Sequence, residues 1–286
     1  MSAQTATEPD APPPTMPLGG SGDEITLARA TPLRAFRALC ARDLWVTVRH
    51  EPAAFLSQAL LQPLFFLFVF GRVLPEIGAA GSGYGKSLLP GIIALTLVLT
   101  SLQNTSLPLV IEFSFTKEIE DRLLAPLPVW AVAAQKMIVA ALRGIVAALL
   151  ILPLGEAILP GGIHLAHAAW GSFVVILVFA SITAAAMGLV LGTAVPPQRI
   201  SVVFAIVLTP LIFTGCTFYP WVGLAHLRWF QIVTLVNPLT YVSEGLRGAI
   251  TSLPHLAPGW VALGLAVSFA VFAVVGTRGF VHRAVA

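Results

Sequence analysis

Long apolar runs and short polar breaks alternate along most of the chain. Six apolar runs cover residues 53–74, 88–110, 132–155, 168–194, 200–219 and 259–279. A helix that crosses the roughly 30 Å hydrocarbon core of a bilayer needs about 20 apolar residues, so each run is predicted to be a transmembrane helix. Residues 221–252 are also apolar but are interrupted by polar residues, and this pattern predicts two short re-entrant helices in the outer leaflet.

The chain before the first run divides into two segments. Residues 1–28 are rich in Pro, Ala, Thr and acidic residues and predict a disordered cytoplasmic tail, not a signal peptide. Residues 29–52 have the period of an amphipathic helix, with Leu33, Phe36, Leu39 and Cys40 on one face and Arg34, Arg37, Arg42 and Arg49 on the other. Such a helix is expected to lie in the membrane interface; a soluble helix packed on a partner is the alternative. Residues 53–286 then form the membrane domain.

Composition places the chain among integral membrane proteins. Hydrophobic residues make up 57% and charged residues only 10%, whereas about a quarter of a soluble domain is charged. The mean hydropathy is +0.89. The predicted fold class is therefore all-α integral membrane, with little room for a soluble catalytic domain.

The positions of Lys and Arg predict the orientation. With the N-terminus inside, eleven of the 16 basic residues are cytoplasmic: Arg29, Arg34, Arg37, Arg42, Arg49, Lys117, Arg122, Lys136, Arg199, Arg278 and Arg283. Four are outside, at Arg72, Lys86, Arg228 and Arg247, and Arg143 lies within a span. This bias follows the positive-inside rule and predicts that both termini are cytoplasmic.

The stretch AGSGYGKS, residues 80–87, is similar to a phosphate-binding loop. A working loop needs a preceding strand and a helix whose N-terminus meets the phosphates. Here the flanks are membrane helices and the predicted side of the membrane is external. We therefore expect a flexible hairpin and no nucleotide site.

The stretch FTKEIEDRLLAPLP, residues 115–128, lies on the predicted cytoplasmic side. Ile111, Phe115, Ile119 and Leu123 form an apolar stripe and charged residues cover the rest, a pattern that predicts a short amphipathic docking helix. Pro126 and Pro128 would end it. An ordinary solvated loop between two spans is the alternative.

Two segments of the chain resemble the ABC-2 type permeases, in particular the drug and daunorubicin-resistance branch. The first is FTKEIEDRLLAPLPVWAVAAQKMIVAALRGIVAALL, which resembles the cytoplasmic loop and third span of that family. The second is NPLTYVSEGLRGAI, residues 237–250, which resembles its Asn-Pro and Glu-x-x-Arg signature before the last span. Polysaccharide exporters have the same architecture and leave the substrate branch open.

The resemblance implies a bacterial cell-membrane exporter with two permeases, either two copies of this chain or this chain and a related one, and a separate ATP-binding cassette ATPase. The ATPase would bind ATP and Mg²⁺, so the chain is expected to have no cofactor or catalytic site of its own, and its other partner is membrane lipid, not nucleic acid. The residues that match the family's coupling helix are Phe115, Lys117, Glu118, Ile119, Glu120, Asp121, Arg122, Leu123 and Leu124.

Polar residues inside spans mark candidate path residues, because each is costly unless it faces protein or water. They are Gln58, Gln62, Thr96, Thr100, Gln103, Thr209 and Thr214. Alternatively, Thr bonds to its own helix and Gln holds neighbouring helices together. Arg143 is expected to reach toward headgroups, since it lies about 10 Å from the end of its span at 1.5 Å per residue; a functional counter-ion is the alternative.

The segment before the last span contributes its own candidates. Asn237 and Pro238 predict a helix start, and Glu244 and Arg247, three residues apart, can form an ion pair that fixes the turn or gates release. His164 and His167 lack a third ligand, so no metal is assigned. Cys40 and Cys216 are predicted on opposite sides of the membrane and cannot pair.

Two other classes of function remain open at this point. An ion-driven transporter or channel usually places an acidic or Lys residue in mid-span, and no acidic residue does so here. A membrane enzyme acting on lipid would need His and carboxylates at one level, but the six histidines are scattered. The residues favour the hypothesis that the chain is an exporter permease.

Overall fold

The computed structural model describes residues 32–50, 52–81, 83–116, 128–159 and 168–285. This described part of the chain is helical and has no strand. The first 31 residues, among them the predicted tail, lie outside it, as do His164 and His167.

Six helices in the described ranges are long and apolar enough to cross a membrane, which confirms the prediction. We call them the first to sixth spans: Pro52–Glu76, Tyr84–Ser114, Val129–Ile158, Trp170–Ala194, Pro197–Thr214 and Pro258–Ala284. Their ends differ from the apolar runs by up to five residues. The sixth span extends five residues past its run because polar residues near water continue a helix without adding to its hydropathy, whereas the fifth ends five residues before the end of its run, just ahead of the turn at Cys216.

Two spans change helix type along their length. The first span is α-helical over Pro52–Phe68, π-helical over Val69–Val73 and α-helical again over Leu74–Glu76. The second is α-helical over Tyr84–Ile111 and ends in a π-helical turn, Glu112–Thr116. The fifth begins with a 3₁₀ turn, Pro197–Arg199, before the helix Ile200–Thr214, and the helix of the sixth runs over Pro258–Val285.

The second span is the centre of the bundle. Of its most apolar stretch, 89% is buried, and the first, third and fourth spans all pack against it. Small residues permit this close approach: a Cβ at Gly144 would lie 1.9 Å from the Ser101 hydroxyl, and one at Gly188 would lie 2.4 Å from the Leu102 carbonyl oxygen. The fifth span is the least buried of the six, since only 6% of its apolar stretch is buried.

The N-terminal helix Pro32–His50 confirms the predicted amphipathic element and packs against the first and third spans. Its four arginines are exposed, as the helical wheel predicts. The side chain that anchors it to the bundle is Asp43, which the wheel did not single out. The helix is therefore held by polar contacts as well as by its apolar face.

Between the fifth and sixth spans the structure has three short helices where two were predicted: the 3₁₀ helix Trp221–His226, the helix Arg228–Thr234 and the helix Pro238–Ile250. We call the last one the capped helix. Asn237 Oδ1 accepts a 2.9 Å hydrogen bond from the Leu239 backbone N–H, and Pro238 occupies the first helical position. The capped helix packs against the second, fourth and sixth spans.

The stretch that is similar to a phosphate loop lies at the junction of the first two spans, and its residues 84–87 form the first turn of the second span. Gly83 has φ of +97°, a left-handed conformation that glycine adopts easily, and the second span begins at the next residue. Lys86 is exposed. Ser82 lies outside the described residues.

Candidate functional site

A buried polar cluster joins three elements at one end of the bundle. It consists of Asp43 from the N-terminal helix, Glu112 from the end of the second span, and Gln135 and Lys136 from the start of the third span; we call it the basal cluster. Glu112, Gln135 and Lys136 expose 7% of their surface or less. These residues meet because the π-helical turn at the end of the second span lies beside the first turns of the third span.

The geometry of the basal cluster is that of one ammonium group shared by two carboxylates. Lys136 donates to Glu112 Oε1 and lies 3.9 Å from Asp43 Oδ2. Gln135 Nε2 donates to the same Asp43 oxygen at 3.0 Å. A buried charge is costly unless it is paired and hydrogen-bonded. The three helices must therefore keep the relative positions that bring these side chains together.

Arg143 extends the same set of contacts two turns deeper into the third span. Its Nη1 donates to Asn104 Oδ1 at 3.1 Å and its Nη2 to the Asp43 backbone carbonyl at 3.0 Å. The expectation that this guanidinium reaches toward lipid headgroups is wrong. The carbonyl and amide of neighbouring helices accept hydrogen bonds from its two terminal nitrogens inside the bundle, where a lone arginine would be costly.

The sixth span also contributes to this end of the bundle. Arg283 donates to the Thr193 carbonyl at 3.0 Å and to Ser114 Oγ at 3.3 Å, and its guanidinium lies 4.9 Å from the Phe113 ring centroid. The last turn of the second span is therefore held by direct contacts from the third and sixth spans, and the N-terminal helix reaches it through Lys136. The predicted coupling residues begin within this turn, at Phe115.

The structure describes little of the coupling segment itself. The backbone of Phe115 lies in the π-helical turn, and Lys117, Glu118, Ile119, Glu120, Asp121, Arg122, Leu123 and Leu124 lie outside the described residues. What is described are the two ends that flank residues 117–127. The basal cluster ties those two ends to each other through Glu112 and Lys136.

A narrow cleft between the first and second spans gathers several of the candidate path residues. Its polar lining consists of Gln58, Gln62, Thr96, Thr100, Gln103 and Asn104. We call it the polar cleft; its volume of about 20 Å³ is roughly that of one water molecule. Because Asn104 also binds Arg143, the polar cleft and the basal cluster are linked.

The other two candidate path residues lie elsewhere. Thr209 is exposed on the fifth span and does not line the polar cleft. Thr214 donates to the Pro210 carbonyl of its own helix at 2.9 Å and accepts from Asn237 Nδ2 at 2.9 Å. Its hydroxyl therefore joins the fifth span to the capped helix.

Glu244 and Arg247 form the expected ion pair, and both side chains are fully buried. Glu244 Oε1 accepts from the Trp221 backbone N–H at 2.9 Å, and its Oε2 accepts from the Leu256 N–H at 2.8 Å. Arg247 Nη2 donates to the carbonyls of Ser87 and Cys216 at 3.3 and 3.1 Å. This ion pair thus joins the capped helix to the start of the second span, to the segment that follows the fifth span and to the segment that precedes the sixth.

The turn that Arg247 binds has unusual backbone geometry. Cys216 has φ of +51° and is the one non-glycine residue with positive φ in the described ranges. Burial raises the pKa of its thiol to about 12, and the nearby Glu244 carboxylate adds to this rise. The thiol is therefore protonated at neutral pH and unsuited to nucleophilic chemistry.

Sequence reasoning missed Asp43, Asn104 and Glu112 as members of these sites. Asn104 follows Gln103 and lies one turn from Thr100, so the polar stripe of the second span could have included it. Asp43 and Glu112 carry no comparable signal, because their partners lie 92 and 24 residues away along the chain.

Replacing Lys136 by Met is expected to lower the free energy of unfolding by about 1–3 kcal/mol, because the ammonium between two largely buried carboxylates is lost. Thermal unfolding in detergent measures this effect. The matched control is Lys86→Met, at an exposed lysine, which should change stability by no more than about 0.5 kcal/mol. Equal melting temperatures for the two variants would show that the basal cluster does not hold the helices together.

Comparison with known proteins gives one family and several relatives. The ABC-2 type transporter family model matches residues 34–251 of the chain. The inner membrane transport permease YadH of Escherichia coli is 26% identical over 220 residues, which cover 72% of this chain and 80% of that protein. The ycf38 protein of Cyanophora paradoxa is 28% identical over 216 residues, which cover 72% of this chain and 71% of that protein.

Proposed function

The chain belongs to the ABC-2 type transporter family and is a membrane permease of an ABC transporter, and we propose that it exports an amphipathic, drug-like or lipid-like substrate. The energy comes from ATP hydrolysed by a separate ATPase subunit that docks on residues 115–124. ATP and Mg²⁺ bind to that subunit, and the chain itself is not an enzyme.

The basal cluster is the observation that carries this proposal. A docked ATPase can move the membrane helices only if its docking segment is attached firmly to them. The salt bridge between Glu112 and Lys136 joins the two ends that flank residues 117–127, and Asp43 adds the N-terminal helix. A movement of the docking segment would thus be transmitted to the second and third spans together.

The charge bias supports the orientation that this coupling requires. With eleven of 16 basic residues on the N-terminal side, the basal cluster and both termini face the cytoplasm of a bacterial cell membrane, where ATP is available. The capped helix then lies at the external side.

The exposed spans support a second permease in the complex, either another copy or a related chain. The first, fifth and sixth spans bury only 17%, 6% and 17% of their apolar stretches within this chain. A path between two permeases would run beside the polar cleft, where Gln58 and Gln62 are exposed. Exposed Phe65 and Phe68 on the same span suit an amphipathic cargo.

ATP-dependent uptake into inverted membrane vesicles tests the proposed function. Vesicles that contain the permease and its ATPase should accumulate daunorubicin or a fluorescent phospholipid when ATP is added, and vesicles without the permease should not. Uptake that depends on a proton gradient and does not require ATP would identify an ion-driven carrier. ATP-dependent uptake of a lipid-linked glycan alone would place the chain among the glycan exporters.

A further inference from the structure

A large apolar groove lies between the fourth span, the capped helix and the sixth span. Its volume is about 640 Å³, within the usual range for a site that holds one small molecule. We call it the lateral groove. It is separate from the polar cleft and shares no residue with the basal cluster.

The lateral groove opens toward the bilayer. Val175 and Phe179 on its fourth-span wall are 57% and 52% exposed, and both are apolar. On the sixth span, Leu263 and Val267 lie beside its lining residues and are each 53% exposed. The groove therefore continues the surface that the two spans present to lipid, which makes lipid the medium at its mouth.

Its length and polarity match part of a phospholipid. The wall along the sixth span runs from Pro258 to Ala266, about 12 Å at 1.5 Å per residue, close to the roughly 15 Å depth of one leaflet of the hydrocarbon core. Of the polar lining side chains, Ser172 lies in the first turn of the fourth span and His255 lies three residues before the start of the sixth. Trp170 and Trp260 mark those same ends as interfacial.

Glycines shape two walls of the groove. On the capped helix, a Cβ at Gly245 would lie 2.8 Å from Val261 and one at Gly248 would lie 2.6 Å from the His255 ring, so these two glycines let the capped helix pack closely against those side chains. On the fourth span, Gly171 lines the groove and has no atom within 4 Å of the position of an added Cβ. Space at Gly171 is therefore available to a ligand.

We propose that the lateral groove binds one acyl chain of a phospholipid from the leaflet on the side of the capped helix, with the headgroup near His255. The bound lipid fills the space between the fourth and sixth spans and supports the capped helix. This inference rests on the membrane-spanning helices alone and does not depend on the export of any substrate.

Photo-crosslinking in nanodiscs tests the lipid site. The probe is phosphatidylcholine with a diazirine in the middle of one acyl chain, and peptide mapping locates the crosslinks. In the wild-type protein, residues 171–179 and 258–266 should carry at least fivefold more crosslinks per residue than the exposed Val146 and Leu149 face of the third span. Equal labelling of the two surfaces would overturn the proposal.

Two glycine variants supply a matched pair. Gly171→Phe should fill the groove and reduce its crosslinks at least fivefold, whereas Gly259→Phe should change them less than twofold. Gly259 is also at the second position of a span with no atom within 4 Å of an added Cβ, but it does not line the groove. Ala266→Phe fills the opposite wall and serves if Gly171→Phe is not monodisperse.

The remaining outcomes identify other occupants. Unchanged groove labelling in both filling variants would show that the acyl chain lies outside the groove. Crosslinks from a photoreactive residue at Ala262 to a second permease, in place of lipid, would assign the groove to a protein contact. Either result would contradict a bound lipid.

Discussion

Replacing Arg247 by Met is expected to destabilise the protein by about 3–5 kcal/mol, the usual cost of removing one partner of a buried ion pair. The substitution leaves the Glu244 carboxylate fully buried beside an apolar side chain. It also removes the donor to the carbonyls of Ser87 and Cys216. We expect a low yield of monodisperse protein and a large fall in the melting temperature in detergent.

Three further variants separate the contribution of the pair from that of each residue. Arg247→Lys keeps the charge but cannot reproduce the planar guanidinium contacts, so it should rescue only part of the loss. The double variant Glu244→Gln with Arg247→Met should be more stable than Arg247→Met alone, because no carboxylate is then buried without its partner. Arg228→Met, at an exposed arginine, should stay within about 0.5 kcal/mol of the wild type. A wild-type melting temperature for Arg247→Met would mean that the pair has no structural role.

Replacing Ile119 by Asp is expected to abolish co-purification of the permease with its ATPase. Ile119 lies outside the described residues, so this expectation rests on the apolar stripe of Ile111, Phe115, Ile119 and Leu123. If that stripe faces the ATPase, the new carboxylate is buried unpaired at a cost of several kcal/mol, and about 1.4 kcal/mol weakens binding tenfold. A pull-down with the tagged permease and an assay of stimulated ATP hydrolysis measure the effect.

Glu120→Ala is the matched control, because it changes the next residue on the charged side of the predicted helix. It should retain most of the binding unless Glu120 pairs with a basic residue of the ATPase. Both variants need equal expression and a wild-type melting temperature, which shows that the membrane domain is intact. Normal ATPase binding and transport by Ile119→Asp would reduce residues 115–124 to a simple connector and would place the ATPase contact elsewhere on the permease.

Local patterns predicted the elements of the fold well. The six spans follow from apolar runs of about 20 residues, and the N-terminal helix follows from the separation of its arginines from its apolar residues. The start of the capped helix follows from Asn237 and Pro238, which act within one turn. Each of these features depends on residues that are close together in the chain.

The contacts of Arg143 are an example of what local sequence patterns do not predict. From the sequence, an arginine about 10 Å inside a span is expected to extend toward headgroups at the nearer end of the helix. In the structure, Asn104 and the Asp43 carbonyl lie within hydrogen-bonding distance, so the guanidinium stays in the bundle. The outcome depended on the approach of two other helices, which periodicity does not encode.

The sequence by itself determined that this protein is an all-helical membrane protein with six spans, an amphipathic N-terminal helix and a capped helix before the last span. Only the tertiary structure decided which polar groups meet: Asp43 and Glu112 around Lys136, Gln58 and Gln62 beside Asn104, and Arg247 against the start of the second span. The physical reason is that hydropathy and capping are local sums over neighbouring residues, whereas a buried polar group is satisfied by whichever partner the packing of distant helices brings within about 3 Å.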